Sequence, residues 1–448
     1  MNKSGPAVRL NGTDSNGSTG MNGLHIVGVG DTRAPRAHSS KNGFIDVELF
    51  AGAGGLTLGL TAAGLAPDYL FENNKHCCAT LERNSRGPPR WVTGEICKED
   101  VGAIDWSTIG KPVRVLSGGP PCQPFSFGGK HLAERDGRNQ FPSTLRAVRA
   151  LRPAVVFLEN VPGFARSSFR PYLEYVVRQL ECPSVVPRHG ELWDDHDRRL
   201  QRHQAARGYT REYRVKWWLV SAADFGVAQA RVRVVFVATR ADLPAVASPT
   251  PTHSRAALVQ EQESGDYWRK RGLRKKRRPE WPRRVQAGEG AAIGIEYEPW
   301  STVRDALAGL SSPSRVENAE DNHWLIPGAR LYQRHSGSEP DWPAKTIKAG
   351  VHGVAGGENV LLLENGRHRY FTLREMARLQ CFPDDYCFTG PRSRIIEQIG
   401  NAVPVDLARV FGELLKPSLA PLDGHIEVTV TDGRGYSPSR LQGGIVSL

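Results

Sequence analysis

The sequence is poor in cysteine and has no long apolar run, and both shortages exclude whole classes of protein. Its 448 residues contain seven cysteines and no C-x-x-C pair, which argues against a disulfide framework and a structural zinc site. The longest apolar runs have five residues, such as Val234–Ala238, whereas a membrane helix needs about 20. The N-terminus has no secretory apolar stretch. We therefore expect an intracellular protein without a membrane span or metal site.

Acidic residues are also in deficit, since 47 of them face 59 Lys and Arg, for a net charge of +12. The excess is concentrated in the basic run Arg269–Arg284, which holds ten basic residues and one acid and alone contributes +9. Such a run is either a solvated loop or a segment that contacts a polyanion. The aromatic residues Tyr267, Trp268 and Trp281, which lie beside or within the run, favour the second interpretation.

Composition divides the chain into five parts. Residues 1–43 are rich in Gly, Asn, Ser and Thr, and we predict a disordered extension. In residues 44–240, short apolar strands alternate with helical patterns, which predicts an α/β fold with a mostly parallel sheet and helices on both faces. Residues 241–390 show no clear period and suggest a smaller, loop-rich domain. Residues 391–418 carry an amphipathic helix that ends the ordered chain, and 419–448 form a tail.

A glycine-rich loop follows the first predicted strand, Ile45–Phe50. Glycines there let backbone amides approach a ligand and allow left-handed turns. Glu72 follows the second strand, where a carboxylate can accept hydrogen bonds from ribose hydroxyls. However, the G-x-G-x-x-G pattern of dinucleotide sites fails, because Thr57 occupies its third glycine position. At this point a nucleoside-cofactor site and a plain structural turn both remain open.

Cys122 lies on a loop rich in glycine and proline that directly follows the predicted strand Val113–Leu116. Ligands and catalytic groups gather at the carboxyl ends of strands in open α/β sheets. A free thiol is only a few per cent thiolate at neutral pH, so a nucleophilic Cys122 would need activation by its surroundings. The alternative is an inert loop cysteine.

Two further groups of polar residues adjoin predicted strands. Glu159 ends the strand that begins at Val155, and apolar surroundings there would favour a protonated carboxyl, although an ion pair is the commoner role. Gln229, Arg231 and Arg233 alternate along the chain, so on a strand they would share one face. A solvated strand edge would explain the same alternation.

Six motifs follow one another along the chain: Phe50–Gly55, Pro121-Cys122-Gln123, Glu159-Asn160-Val161, Gln229-Ala230-Arg231-Val232-Arg233, Arg374–Pro383 and Ile399–Pro404. In this order, they resemble the motifs of the DNA cytosine methyltransferases that modify ring carbon 5. The resemblance covers about residues 44–415, and the six ordered motifs make it very specific.

The resemblance implies a Rossmann-like, S-adenosylmethionine-dependent catalytic domain and a smaller target-recognition domain at 241–390. It also implies that the C-terminal segment 391–418 returns to the catalytic domain. The Cys122 thiolate would add to carbon 6 of a flipped cytosine, and Glu159 would act at ring nitrogen 3. Arg231 and Arg233 would anchor the phosphate of the target nucleotide and the catalytic loop.

The resemblance also implies which residues bind the other ligands. S-adenosylmethionine would contact Phe50, Gly52, Gly54, Leu56, Glu72, Asp100, Pro120, Asn401 and Val403, with Glu95 as the alternative to Asp100. DNA would contact Gln123, Ser126, Gln229, Arg269, Lys270, Arg271, Arg274, Lys275, Lys276, Arg277 and Arg278.

Three features depart from the family pattern. Arg114 stands near a position that is often acidic, and Cys381 replaces a usual glycine. About 28 extra residues separate Glu159 from Gln229, and we place the insertion at 183–210.

The expected function is methylation of carbon 5 of cytosine in a specific double-stranded DNA sequence, by a monomeric, cytoplasmic bacterial enzyme. A cognate restriction endonuclease is a candidate functional partner. A transfer-RNA cytosine methyltransferase and a catalytically inactive DNA-binding regulator are the alternatives. The basic segment after Thr239 favours DNA, because reading a duplex requires a recognition domain.

Overall fold

The computed structural model describes residues 43–121, 139–274, 296–316, 322–331, 337–350 and 359–422. The predicted N-terminal extension, apart from Gly43, and the tail beyond 422 lie outside these ranges. The strands of the described residues are β1 (Ile45–Leu49), β2 (Tyr69–Phe71), β3 (Glu95–Cys97), β4 (Val113–Gly118), β5 (Val155–Asn160), β6 (Tyr213–Ser221), β7 (Gln229–Ala230), β8 (Val232–Arg240), β9 (His253–Ser254), β10 (Glu298–Pro299), β11 (Ala344–Lys345), β12 (Val360–Leu362) and β13 (His368–Tyr370). The helices are α1 (Gly55–Ala62), α2 (Lys75–Asn84), α3 (Phe141–Leu151), α4 (Arg170–Glu181), α5 (Trp193–Ala205), α6 (Arg255–Ser264), α7 (Asp266–Lys270), α8 (Val303–Ala306), α9 (Leu373–Leu379), α10 (Arg392–Asn401) and α11 (Val405–Leu419).

Within the described ranges, seven strands form one sheet in the order β3-β2-β1-β4-β5-β8-β6. The strands from β3 to β5 are parallel, whereas β8 runs antiparallel to both β5 and β6. Every residue of β1 and β5 is buried, because helices cover both faces and leave no solvated side. The predicted α/β class is confirmed.

Two apolar cores lie on opposite faces of the sheet. On one face, α3 and α4 pack on side chains such as Phe164 and Phe236. On the other face, α1 and α11 pack on Phe157 and Val235. The helix near the end of the described chain therefore lies directly beside the first helix.

The contact between α1 and α11 is close enough to require glycine. A Cβ atom on Gly59 would lie 2.4 Å from both the Ala408 Cβ and the Val405 carbonyl oxygen, and one on Gly412 would lie 2.6 Å from the Ala63 Cβ. All three separations are shorter than those that a Cβ atom shows to atoms that are not bonded to it. Main chain thus packs on main chain at this contact.

The region predicted as an insertion contains α5, which packs on α4. Arg178 of α4 donates two hydrogen bonds to the Asp197 carboxylate, at 2.6 and 2.8 Å. The Tyr175 hydroxyl and His196 Nδ1 lie 2.8 Å apart. The segment therefore adds a layer outside α4 and contacts the rest of the fold through α4 and its neighbours.

Two smaller cores lie in the second half of the chain. Tyr267, Trp268 and Trp300 form one of them with parts of α6 and α7. In the other, α9 and α10 pack against Ala53 of the glycine-rich loop and Leu58 of α1. The second core joins residues 373–401 to the glycine-rich loop.

No helix of the described ranges is long and apolar enough to cross a membrane. The same residues include no cluster of three or more His, Cys, Asp and Glu side chains suited to a metal ion.

We predict that Gly59→Ala lowers the free energy of unfolding by about 1–3 kcal/mol, because the new methyl group overpacks the contact between α1 and α11. Alanine favours an isolated helix by about 1 kcal/mol over glycine, so propensity alone predicts the opposite sign. Urea unfolding measures the change. The control is Gly110→Ala, where no atom lies within 4 Å of the new Cβ; equal stability of the two variants would contradict the packing argument.

Candidate active site

The carboxyl ends of β1, β2, β4 and β5 bring the predicted site residues to one edge of the sheet, as expected for an open α/β fold. Glu159 lies at the end of β5, and Gly119 and Pro120 follow β4. A Cβ atom on Gly119 would lie 3.6 Å from Glu159 Oε2, so the two neighbouring strand ends are in contact.

The glycine-rich loop takes a left-handed path next to Glu72. Phe50, Gly52 and Gly54 have φ angles of 55°, 56° and 84°. The Gly52 amide donates to Glu72 Oε2 at 2.8 Å, and the Asn74 amide donates to Oε1 at 2.7 Å. Burial raises the pKa of Glu72. The nearest atom to a Cβ on Gly52 is 4.0 Å away, so the loop leaves room beside its backbone.

Asp100, and not Glu95, lies near Glu72. Glu95 begins β3 and pairs with Tyr69 at the start of β2, which places it at the amino end of these strands. Asp100 follows β3, and the Asn73 side chain donates to its carboxylate at 3.4 Å. Of the two carboxylates that the sequence left open, Asp100 therefore lies on the side of the glycine-rich loop.

The C-terminal segment closes onto the same loop. The Val403 carbonyl oxygen would lie 2.4 Å from a Cβ on Gly55. Leu56 and Val403 belong to one apolar core, so both are buried, while the neighbouring Asn401 is exposed. The structure thus brings together residues about 350 positions apart in the sequence.

Glu159 is held in an ion pair. Arg233 Nε lies 2.7 Å from Glu159 Oε1, and both side chains are buried. Because β8 runs antiparallel to β5, its first residues lie at the carboxyl end of β5. Of the two roles that the sequence left open for Glu159, the structure shows the ion pair.

Arg231 and Gln229 do not face an open surface. The Arg231 guanidinium is 1% exposed and donates to the carbonyl oxygens of Ile347, Gly400 and Ala402 at 3.1, 2.8 and 2.9 Å. Gln229 is fully buried, and its amide group bonds to groups of the protein. In this conformation Arg231 cannot contact a DNA phosphate, and Gln229 cannot contact DNA. The three alternating side chains do not all share partners: Gln229 and Arg231 both bond to Ile347, whereas Arg233 pairs with Glu159.

The start of the basic run is partly structural. Tyr267 and Trp268, which in the sequence favour contact with a polyanion, are buried and would not face a bound polyanion in this conformation. Arg271 lies over the Tyr267 ring, 3.8 Å from its centroid, and pairs with Asp305 at 2.7 Å. Arg269, Lys270 and Arg274 are exposed, although Arg269 and Lys270 pair with acids of α7 and α6.

Several predicted residues lie outside the described ranges: Cys122, Gln123, Ser126, Lys275, Lys276, Arg277, Arg278 and Trp281. The two ends of segment 122–138 are described, however. The Asn160 side chain donates to the Pro120 carbonyl at 2.9 Å, and the Gln140 amide donates to the Pro121 carbonyl at 3.0 Å. Both ends of the segment with Cys122 are therefore fixed beside Glu159 and Asn160.

The sequence model of the C-5 cytosine-specific DNA methylase family matches residues 44–182 and 205–416. The chain belongs to this family. It is a DNA cytosine-5 methyltransferase, as the order of its motifs predicted. The gap in the match, 183–204, lies within the predicted insertion and contains most of α5.

The methyltransferase is similar over most of its length to named relatives. It is 30% identical to the Type II methyltransferase M.Eco47II of Escherichia coli over 84% of this chain and 79% of the relative. It is 29% identical to M.PspPI of a Psychrobacter species over 82% and 78%. The Dnmt2 methyltransferase of S. pombe shares the fold, with a TM-score of 0.50, 16% identity and coverage of 83% of this chain and 98% of that one.

Glu48 is a buried acid below the glycine-rich loop that the sequence analysis did not single out. Its Oε2 accepts from the Thr57 hydroxyl at 2.9 Å, while its Oε1 is buried without a partner. Burial raises the pKa of Glu48 to about 8. A carboxylate within a strand that is buried on both faces is the signal that could have identified it.

We predict that the stability of Glu48→Gln relative to wild type increases as the pH rises from about 4.5 to 8. The folded state binds the proton of the Glu48 carboxyl more tightly than the unfolded chain does. Wild type therefore loses stability over that interval, because the unfolded chain releases the proton while the folded state still holds it. Glutamine has no such proton, and we expect a gain of roughly 2–5 kcal/mol over wild type at pH 9.

Urea unfolding at pH 5, 7 and 9 measures this difference. The control is Glu413→Gln, which removes an exposed carboxylate of α11 that pairs with Lys416 at 2.8 Å. A Glu48→Gln curve parallel to wild type at all three pH values would show that Glu48 is ionised throughout.

Proposed function

We propose that this methyltransferase transfers a methyl group from S-adenosylmethionine to carbon 5 of a cytosine in a specific sequence of double-stranded DNA. The observation that carries the proposal is the edge of the sheet where the Glu159–Arg233 ion pair lies beside the fixed ends of segment 122–138 and close to the glycine-rich loop. A carboxylate and a guanidinium meet there, next to the described ends of the segment whose sequence contains Cys122.

The residues around the glycine-rich loop fit a nucleoside cofactor. Phe50, Gly52 and Gly54 would line S-adenosylmethionine, because the left-handed loop keeps its backbone accessible. Glu72 would accept from the ribose hydroxyls, and Asp100 would accept from the adenine amino group. Pro120, Asn401, Val403 and Leu56 would complete the walls of the pocket. When bound, the cofactor supplies an electrophilic methyl group.

Cytosine carbon 5 is a poor nucleophile, so the reaction requires protein groups that make it more nucleophilic. Addition of the Cys122 thiolate to carbon 6 would make carbon 5 nucleophilic. Carbon 5 would then bond to the methyl carbon as the bond from that carbon to the sulfonium sulfur breaks, with S-adenosylhomocysteine as the leaving group. Carbon 5 would lose its proton to water or another base, and the thiolate would leave carbon 6. Glu159 would act as a carboxylic acid whose proton is directed at ring nitrogen 3, where it offsets the negative charge on the ring, while Arg233 keeps Glu159 in position.

A base within a duplex cannot reach buried Glu159, so the target cytosine must flip out of the helix, at a cost of a few kcal/mol. We propose that residues 241–390 contain the target-recognition domain and that exposed residues of the basic run contact phosphates. Because the relatives are Type II methyltransferases, we also propose that the enzyme is a cytoplasmic monomer that protects host DNA from a cognate restriction endonuclease.

Methyl transfer from labelled S-adenosylmethionine to unmethylated genomic DNA tests this function. Wild type should label DNA at cytosine carbon 5, and Cys122→Ser should abolish labelling, because a hydroxyl has too high a pKa to supply the anion. Binding of S-adenosylhomocysteine should change less than twofold.

DNA that contains 5-fluorocytosine should form a covalent complex with wild type and not with Cys122→Ser, because fluorine at carbon 5 blocks the final elimination. Transfer RNA in place of DNA as the labelled product would favour the RNA alternative, and no product at all would favour the inactive regulator. Substantial activity in Cys122→Ser would refute the covalent step.

The basic run offers a matched pair of variants for DNA binding. We predict that replacing Arg269, Lys270, Arg274 and Lys275–Arg278 by Ser and Gly reduces the slope of log affinity against log salt by about 3 units, as expected if three or four of these side chains contact phosphates. The methylated sequence should not change, since phosphate contacts do not read bases.

Arg271→Ala is the counterpart, because Arg271 contacts Tyr267 and Asp305. It should lower the melting temperature and leave the salt slope within about half a unit. A salt slope that stays the same in the multiple variant would make the run a solvated loop.

A further inference from the structure

Arg231 bonds to two separate segments of main chain, one at Ile347 and the other at Gly400–Ala402. Its Nη1 donates to the Ile347 carbonyl, and its Nη2 donates to the carbonyls of Gly400 and Ala402. The guanidinium is 1% exposed. A planar, rigid guanidinium can serve several carbonyls at once, which a lysine ammonium on a flexible stem does less well.

Gln229 and Gln380 extend this network on both sides. Gln229 accepts from the Ile347 amide at 2.9 Å and donates to the Leu379 carbonyl at 2.9 Å. Gln380 donates to the Ile399 carbonyl at 2.6 Å and contacts the Ala402 carbonyl at 3.2 Å. Both glutamines are fully buried, so the network has no access to water that could replace a lost bond.

One arm of the network ends at the glycine-rich loop. The Gly400–Ala402 main chain, which Arg231 holds, continues into Val403, whose carbonyl packs on Gly55. A shift of Gly400–Ala402 would therefore move the wall formed by Asn401 and Val403 relative to the glycine-rich loop.

The other arm ends in the proposed recognition domain. β11 pairs with β7, and Ile347 follows β11. The next residue, Lys348, exchanges two main-chain hydrogen bonds with the Asn359 side chain, at 3.0 and 3.1 Å. A Cβ on Gly400 would lie 2.4 Å from the Ala349 amide nitrogen, so the two arms also touch directly.

We propose that Arg231 is a positioning residue that couples occupancy of the cofactor site to DNA binding. Movement of β11 and Ile347 when DNA binds would reach Gly400–Ala402 through the rigid, buried side chain of Arg231, which adds hydrogen bonds to the direct contact between Gly400 and Ala349. The inference rests on the proposed function, and it gives Arg231 a role other than the phosphate contact that its burial excludes. Linkage requires the effect to be reciprocal, so cofactor analogues must tighten DNA binding by the same factor.

The test measures the affinity for S-adenosylhomocysteine with and without unmethylated genomic DNA. In wild type we expect DNA to tighten binding by at least about fivefold, the lower end of ordinary coupling. In Arg231→Lys the ratio should fall below twofold, while the affinity without DNA changes less than the ratio does. Gln229→Met, which removes the neighbouring bridge to Ile347, should reduce the ratio in the same direction and provides a second arm if Arg231→Lys does not fold.

Arg378→Lys is the matched control. Arg378 also donates to two main-chain carbonyls, those of Ala306 and Ala308, but these belong to neither arm. For Arg378→Lys, the ratio of the affinities for S-adenosylhomocysteine with and without DNA should match that of wild type, even if the melting temperature of the variant falls.

A lower melting temperature with an unchanged ratio in Arg231→Lys and Gln229→Met would show a purely structural role and overturn the proposal, as would a wild-type ratio of one. These outcomes differ from failure of the proposed function, in which wild type would not methylate DNA at all.

Discussion

The close contact between α1 and α11 is the constraint on which the site depends. Each polar group at the edge of the sheet comes from a different strand end, and Val403 reaches Gly55 from the far end of the described chain, where it would complete the proposed cofactor pocket. Glycine at 59 and 412 lets the two helices approach closely enough for that. Apolar burial by Phe157, Phe411 and their neighbours stabilises the arrangement.

Local patterns were sufficient to predict the architecture. Strand ends rich in glycine or carboxylates located Glu72 and Glu159, and the alternation of strands and helices predicted the sheet. The order of motifs identified the family. Each motif lies within a few residues of sequence. The motifs can still be assigned to one site, because a parallel sheet places successive strand ends at a common edge.

What the sequence could not predict depends on contacts between distant segments. The partner of Glu159 follows from the antiparallel direction of β8, which no local pattern encodes. Similarly, Arg231 and Gln229 look like solvated strand residues until the segments at 347 and 400 cover them. The aromatic residues Tyr267 and Trp268 are buried by Trp300 and Thr302, more than 30 positions away. Cys381 has a φ of 61°, which explains why glycine is usual at that position.

The pairing of Arg178 with Asp197 makes the inserted helix α5 part of the packing of α4. Arg178 lies in the part of the chain that matches the family, whereas Asp197 lies in the unmatched segment. Deleting 183–204 to restore the usual family length would strip a half-buried guanidinium of its two-bond partner and uncover the side of Tyr175 that faces His196. A shortened enzyme would therefore need a new α4 surface as well as a new loop.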